Sequence, residues 1–80
     1  MQVEEIKALI ESSIPDSEAQ VQLEGNHAHL VVVSSAFEGL NPVKKQQLVY
    51  GCLQDAIASG AIHAVHMKTY TPSQWQAAQA

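Results

Sequence analysis

The chain has 80 residues, 46% of them hydrophobic and 15% charged, which is enough for one small globular domain spanning 1–80. Its net charge of −4, with four lysines and no arginine, argues against a free-standing nucleic-acid binder. Such proteins draw their affinity from several cationic contacts to phosphate and read guanine with arginine. A single cysteine, Cys52, excludes an internal disulfide and any multi-cysteine metal site within one chain.

Residues 2–13 carry Val3, Ile6, Leu9 and Ile10 at helical spacing, with Glu4 and Glu5 in the first turn and Pro15 ending the helix. Ala19, Val21 and Leu23 then alternate with Gln20, Gln22 and Glu24, the pattern of a half-buried strand. Gly25-Asn26 predicts a tight hairpin turn into a returning strand over 27–34, whose run Leu30 to Val33 is apolar on both faces and therefore central. Ser35-Ala-Phe-Glu38 fits a capping box, and Gly39 ends a short helical turn.

Asn41 caps and Pro42 opens a longer helix, whose buried stripe is read as Val43, Val49, Leu53, Ala56 and Ile57, with Cys52 beside it as a small buried hydrophobe. Gly60 closes that helix, and a third strand spans 62–70. Thr71-Pro-Ser-Gln74 is a second capping box that starts a terminal helix around the core anchor Trp75, with fraying after Gln76. No apolar run approaches the roughly 18 residues of a membrane span and no signal-peptide pattern is present, so the expectation is a soluble, cytoplasmic protein.

The order αββ(α)αβα gives an antiparallel hairpin and then a crossover that makes the third strand parallel to the second. The expected fold is α+β, a three-stranded mixed sheet with helices packed on one face. Parallel strands start at the same sheet edge, so His27 and His29 should lie near His63 and His66. His63, at the mouth of the third strand, is the principal ligand candidate. His29 shares a face with His27, whereas strand parity turns His66 away from His63. Lys44 and Lys45 open the long helix, the end that is unfavourable for cations. No nucleophile–base pair is visible: Ser34 and Ser35 lack a glycine elbow, and Asp16 and Asp55 are isolated, so no enzymatic activity is expected.

Phe37-Glu-Gly39, Val43-Lys-Lys-Gln-Gln-Leu-Val-Tyr50, Ile62-His63-Ala64, Thr69-Tyr-Thr-Pro72 and Trp75 together resemble the BolA family, in particular its IbaG-like branch, over about residues 3–76. The resemblance implies a fold like the class II KH domain without its Gly-x-x-Gly loop. It also implies partnership with a monothiol glutaredoxin, in which a [2Fe–2S] cluster is shared between the glutaredoxin cysteine with glutathione on one side and the BolA-like subunit on the other. On that pattern the first ligand falls on His63 and the second near His27, with His29 as its substitute. The partner surface takes in Lys44, Lys45, Tyr70, Thr71 and Pro72, with the two lysines meeting acidic groups of the partner or the carboxylates of glutathione. No cofactor is expected in the isolated chain. Iron–sulfur recipient proteins, a stress-response role and a weak homodimer complete the expectation. The competing reading is a KH-like or helix-turn-helix nucleic-acid regulator. The chain departs from many members in its very short hairpin loop, and in having Lys45-Gln-Gln47 where they carry Arg-His-Arg.

Overall fold

Alternation along the middle strand sets the architecture. Ala28, Leu30, Val32 and Ser34 are buried on one face, while His27, His29, Val31 and Val33 point to the other. In the computed structural model, which describes residues 2–79, the elements are α1 (Val3–Ser13), β1 (Ser17–Glu24), β2 (His27–Ser34), a 3-10 turn (Ser35–Phe37), α2 (Pro42–Ala58), β3 (Ala64–Tyr70) and α3 (Pro72–Gln79). The sheet order is β1-β2-β3. β1 pairs antiparallel with β2 from Glu24↔His27 to Ser17↔Ser34, and β3 pairs parallel with β2 from His27↔Ala64 to Val33↔Tyr70. The expected α+β topology, with β2 central, is the one observed.

Ile6 and Ile10 of α1, together with Val49, Leu53 and Ala56 of α2, close over the core face of the sheet, and Phe37, Ile14 and Ile62 seal its ends. Glu11 adds a polar tie, its carboxylate accepting from the Ala19 N–H at 3.0 Å. That bond satisfies a donor on an edge strand, which would otherwise offer itself to another chain. α3 has no buried residue and meets the sheet through Trp75, whose ring tilts against Tyr70 with centroids 5.3 Å apart.

Several local expectations are corrected. The stripe of α2 is narrower than read: Val49, Leu53 and Ala56 are buried, but Val43 and Ile57 are exposed, because they lie roughly 80–120° round the helix from Val49. Cys52 is half-buried, its thiol donating to the Leu48 carbonyl at 3.3 Å. The cap of the 3-10 turn is Ser34 rather than Ser35, since the Ser34 hydroxyl accepts from the Ala36 N–H. β3 starts at Ala64, because Ile62 and His63 belong to the turn that follows Gly60. Trp75 is half-buried rather than a core anchor, and α3 continues to Gln79.

Ser34 is the only buried polar side chain among the described residues. Its hydroxyl donates to the Pro15 carbonyl at 2.6 Å and accepts from the Ala36 N–H at 3.0 Å. One side chain thus joins the α1–β1 turn to the end of β2. Ser34→Ala strands both backbone groups and should cost about 1–2 kcal/mol. Urea unfolding should show a lower midpoint with an unchanged slope; an unchanged midpoint would mean that water or relaxation replaces the hydroxyl.

Candidate functional site

The turn that closes α2 delivers a histidine to the hairpin. Gly60 adopts φ +83°, and the Ala61 and Ile62 N–H groups both bond back to the Ala56 carbonyl. The chain then meets the β1–β2 turn: the Asn26 carbonyl accepts from the His63 N–H at 2.8 Å and more weakly from the Ala64 N–H at 3.4 Å. His63 is therefore fixed in the backbone immediately beside His27, which is the closeness expected from parallel strands that start level. Both side chains are exposed. The His63 ring lies toward Gly60, with Nε2 3.8 Å from the position a Cβ would take there.

The other three histidines share the face of the sheet away from the helices. The register sets His29 directly opposite His66. Their rings stack at 4.8 Å with 12° between planes, and the His27 ring lies 6.0 Å from His66. Glu24 stands 3.9 Å from His29 Nε2, close enough to attract the protonated ring but too far to hydrogen-bond it. The His29 and His66 rings edge a shallow groove of about 450 Å³ that Gln20, Gln22 and Lys68 extend. His66 was set apart from His63 by parity, and it is apart. The sequence reading did not draw the companion result, that the same parity and the parallel register seat His66 on His29.

Among the described residues no three histidine, cysteine, aspartate or glutamate side chains form a group that could hold a metal ion. The donors present amount to less than one complete coordination shell. Neutral imidazole is a good ligand for iron, and exposed imidazoles at a sheet edge can complete a shell begun by another molecule.

The residues expected to meet a partner divide into two places. Lys45, Tyr70, Thr69, Gln74 and Pro42 line a groove of about 410 Å³ where the start of α2 meets the end of β3. Thr71 caps α3 there, its hydroxyl accepting from the Gln74 N–H at 3.2 Å, and Pro72 is the first residue of that helix. Lys44 lies outside the groove, exposed on the flank of α2, its N–H bonded to the Asn41 cap at 2.9 Å. This groove and His63 sit at opposite ends of β3, roughly 20 Å apart for a seven-residue strand. That separation removes Lys44 and Lys45 from any glutathione bound beside His63, so the expected contact with glutathione carboxylates is withdrawn. The lysines are also scattered, with Lys7 on α1 and Lys68 on the open sheet face, and make no basic track.

The model of the BolA-like protein family matches residues 2–74. The acid stress protein IbaG of Escherichia coli strain K12 is 40% identical over 75 residues, a match covering 94% of this chain and 89% of that protein. Two solved structures share the fold. A bolA protein homologue from Coxiella burnetii superposes with a TM-score of 0.83 at 32% identity, over 95% of this chain and 97% of its own. The BolA domain of SufE1 from Arabidopsis thaliana gives 0.79 at 31% identity, over 88% and 91%.

The placement of His63 depends on Gly60, whose left-handed backbone disfavours any side chain. A Cβ there finds open space apart from the His63 ring at ordinary contact distance, so the cost of Gly60→Ala comes from φ and not from crowding. The substitution should destabilise the fold by about 1–2 kcal/mol. In NMR spectra it should move the His63 ring signals while leaving those of His27, His29 and His66 in place. Equal shifts on all four rings would contradict the separation described.

Proposed function

The chain belongs to the BolA family, and from that premise we propose that it is a non-enzymatic adaptor that pairs with a monothiol glutaredoxin and supplies histidine to a [2Fe–2S] cluster the two proteins share. The observation that supports this reading is the exposed His63, whose backbone the Asn26 carbonyl holds beside His27 while its ring lies toward Gly60, clear of the rings stacked on the sheet face. An exposed histidine with a fixed backbone can complete a coordination shell that a second molecule begins. The glutaredoxin cysteine and glutathione would begin it. His63 is the principal donor, His27 the second, and His29 its substitute. Histidine ligation in place of thiolate raises the potential of such a centre and couples it to protons, which suits a cluster that is to be passed to a recipient protein. The groove around Lys45, Tyr70, Thr71 and Pro72 takes acidic side chains of the partner at the far end of β3.

The isolated protein, reconstituted with iron and sulfide without oxygen, should retain little cluster. Mixing it with a holo monothiol glutaredoxin should change the visible circular dichroism. His63→Ala should abolish that change without lowering the thermal midpoint, because an exposed turn side chain contributes little to the core. His27→Ala should reduce the change and His66→Ala leave it. Pulsed EPR of the reduced complex made with ¹⁵N-histidine should show nitrogen coupling that the His63→Ala complex lacks. An unchanged spectrum on mixing at stoichiometric excess would sink the pairing, and coupling that survives His63→Ala would sink the ligand.

Nucleic-acid binding separates this reading from a transcriptional regulator. With scattered lysines and net charge −4, affinity for duplex DNA near physiological salt should be on the order of 10⁻⁴ M or weaker. An anisotropy titration that gave sub-micromolar, sequence-dependent binding would favour the regulator.

A further inference from the structure

Three histidines occupy one corner of the open sheet face. His27 and His29 are separated by one residue on β2, so their side chains leave the same face about 7 Å apart. The parallel register sets His66 of β3 directly opposite His29, one strand spacing or about 5 Å away. Two paired backbones thus fix a triangle of imidazole-bearing positions. His27 and His66 are exposed, His29 is half-buried, and none of the three belongs to the core. The fold does not need imidazole there, since threonine, valine or tyrosine would suit a strand at these positions better.

What the three side chains share is a lone pair for a metal ion. As the rings stand, they stack instead of converging. His66 lies 6.0 Å from His27 and 4.8 Å from His29, with planes within 12°, and no closed site is preformed among the described residues. The obstacle is one of rotamer and not of position. The rings lie at the surface, and turning them about χ1 and χ2 displaces no core side chain. Three histidines and a water molecule make the ligand count of an open zinc site.

The neighbouring charge fits the same ion. The Glu24 carboxylate stands 3.9 Å from His29 Nε2, too far for a hydrogen bond. Two ligands bonded at about 2.1 Å to a tetrahedral ion are roughly 3.4 Å apart, so this gap needs about half an ångström of closure to take one. Lys68, two residues beyond His66 on the same face, opposes a cation, but its long exposed side chain is free to turn its ammonium into solvent. The donors are nitrogen and oxygen, because the single thiol, Cys52, lies on α2 behind the sheet. Such a set selects a borderline divalent ion of the zinc type over magnesium or calcium, which take oxygen ligands alone.

We propose that the isolated chain binds one zinc-type divalent ion at this corner, held by His27, His29 and His66 with Glu24 beside it, so that the ion clips β2 to β3. The inference does not rest on the cluster reading. His63 looks toward Gly60 and takes no part in it, whereas His66, which the cluster does not use, is essential. The two readings share His27 and His29, and they are told apart at His63 and His66.

Titration of the full chain with zinc chloride, with no glutaredoxin present, tests it by calorimetry and by NMR of the imidazole rings. Magnesium chloride is the control for binding to carboxylates. One equivalent of Zn²⁺ should move the ring signals of His27, His29 and His66 and leave those of His63 in place, while Mg²⁺ should move none. Because the triangle exists only in the folded chain, Zn²⁺ should also raise the thermal midpoint. His29→Ala and His66→Ala should each weaken binding by at least about tenfold, since even an outer-shell partner of a bound metal contributes that much. His63→Ala should bind Zn²⁺ as the unsubstituted chain does. The proposal is overturned by a chain that takes up no Zn²⁺ below millimolar concentration. It is overturned equally by binding that His63→Ala weakens as much as His66→Ala, or by a response that Mg²⁺ reproduces. None of these outcomes bears on the glutaredoxin spectrum, so the zinc site and the shared cluster stand or fall separately.

Discussion

The parallel pairing of β3 with β2 is the constraint on which the rest of the molecule depends. It forces a crossover, and α2 is that crossover; a right-handed connection then lays α2 on the same face as α1. The register is pinned at its start by the Asn26 carbonyl, which takes the His63 N–H at 2.8 Å. Sliding β3 by one residue would turn Val65 and Met67 out of the core and drive His66 and Lys68 into it. The burial of a charged lysine makes that slip prohibitive. One backbone hydrogen bond between two turns and one alternation along a seven-residue strand therefore determine where every histidine of the chain stands.

The same alternation divides the histidines by chemistry. Three rings lie on the open sheet face, stacked on one another, while His63 stands just outside the strand and looks toward Gly60. Stacked imidazoles present their faces to each other, and their nitrogens do not converge on a common point. Among the described residues His63 stacks on no other ring, and its backbone is held on both sides, by the α2 turn and by the hairpin. A donor with a fixed backbone and a free ring suits coordination to an incoming group, because little ordering entropy is lost when it binds.

Much of this was legible in the sequence, for reasons specific to each element. Asn41-Pro42 and Thr71-Pro72 marked helix starts because a capping side chain and a proline without an N–H act locally. Gly25-Asn26 marked the hairpin because its turn needs a left-handed residue, and Gly25 has φ +60°. The closeness of His63 to His27 followed from topology alone. The failures fell where tertiary packing decides. Helical period showed that α2 has an apolar side, but not how wide a stripe of it the sheet covers, so Val43 and Ile57 were assigned to a core that does not reach them. Ser34 and Ser35 are equally good caps in sequence, and the Pro15 carbonyl, from a turn 19 residues earlier, selects Ser34. The distance between Lys45 and His63 was hidden because both flank β3, and a strand separates what lies at its two ends.

Size explains why α2 is covered along so narrow a stripe. A chain of 80 residues has little interior, and its described core holds twelve hydrophobic side chains around one face of a three-stranded sheet. An amphipathic helix that lies across so narrow a sheet is covered along a thin stripe, and residues one turn beyond the stripe are left to solvent. Polar residues there would cost the fold nothing. Val43, Tyr50 and Ile57, exposed on one side of α2, are choices that the folding of this chain does not require.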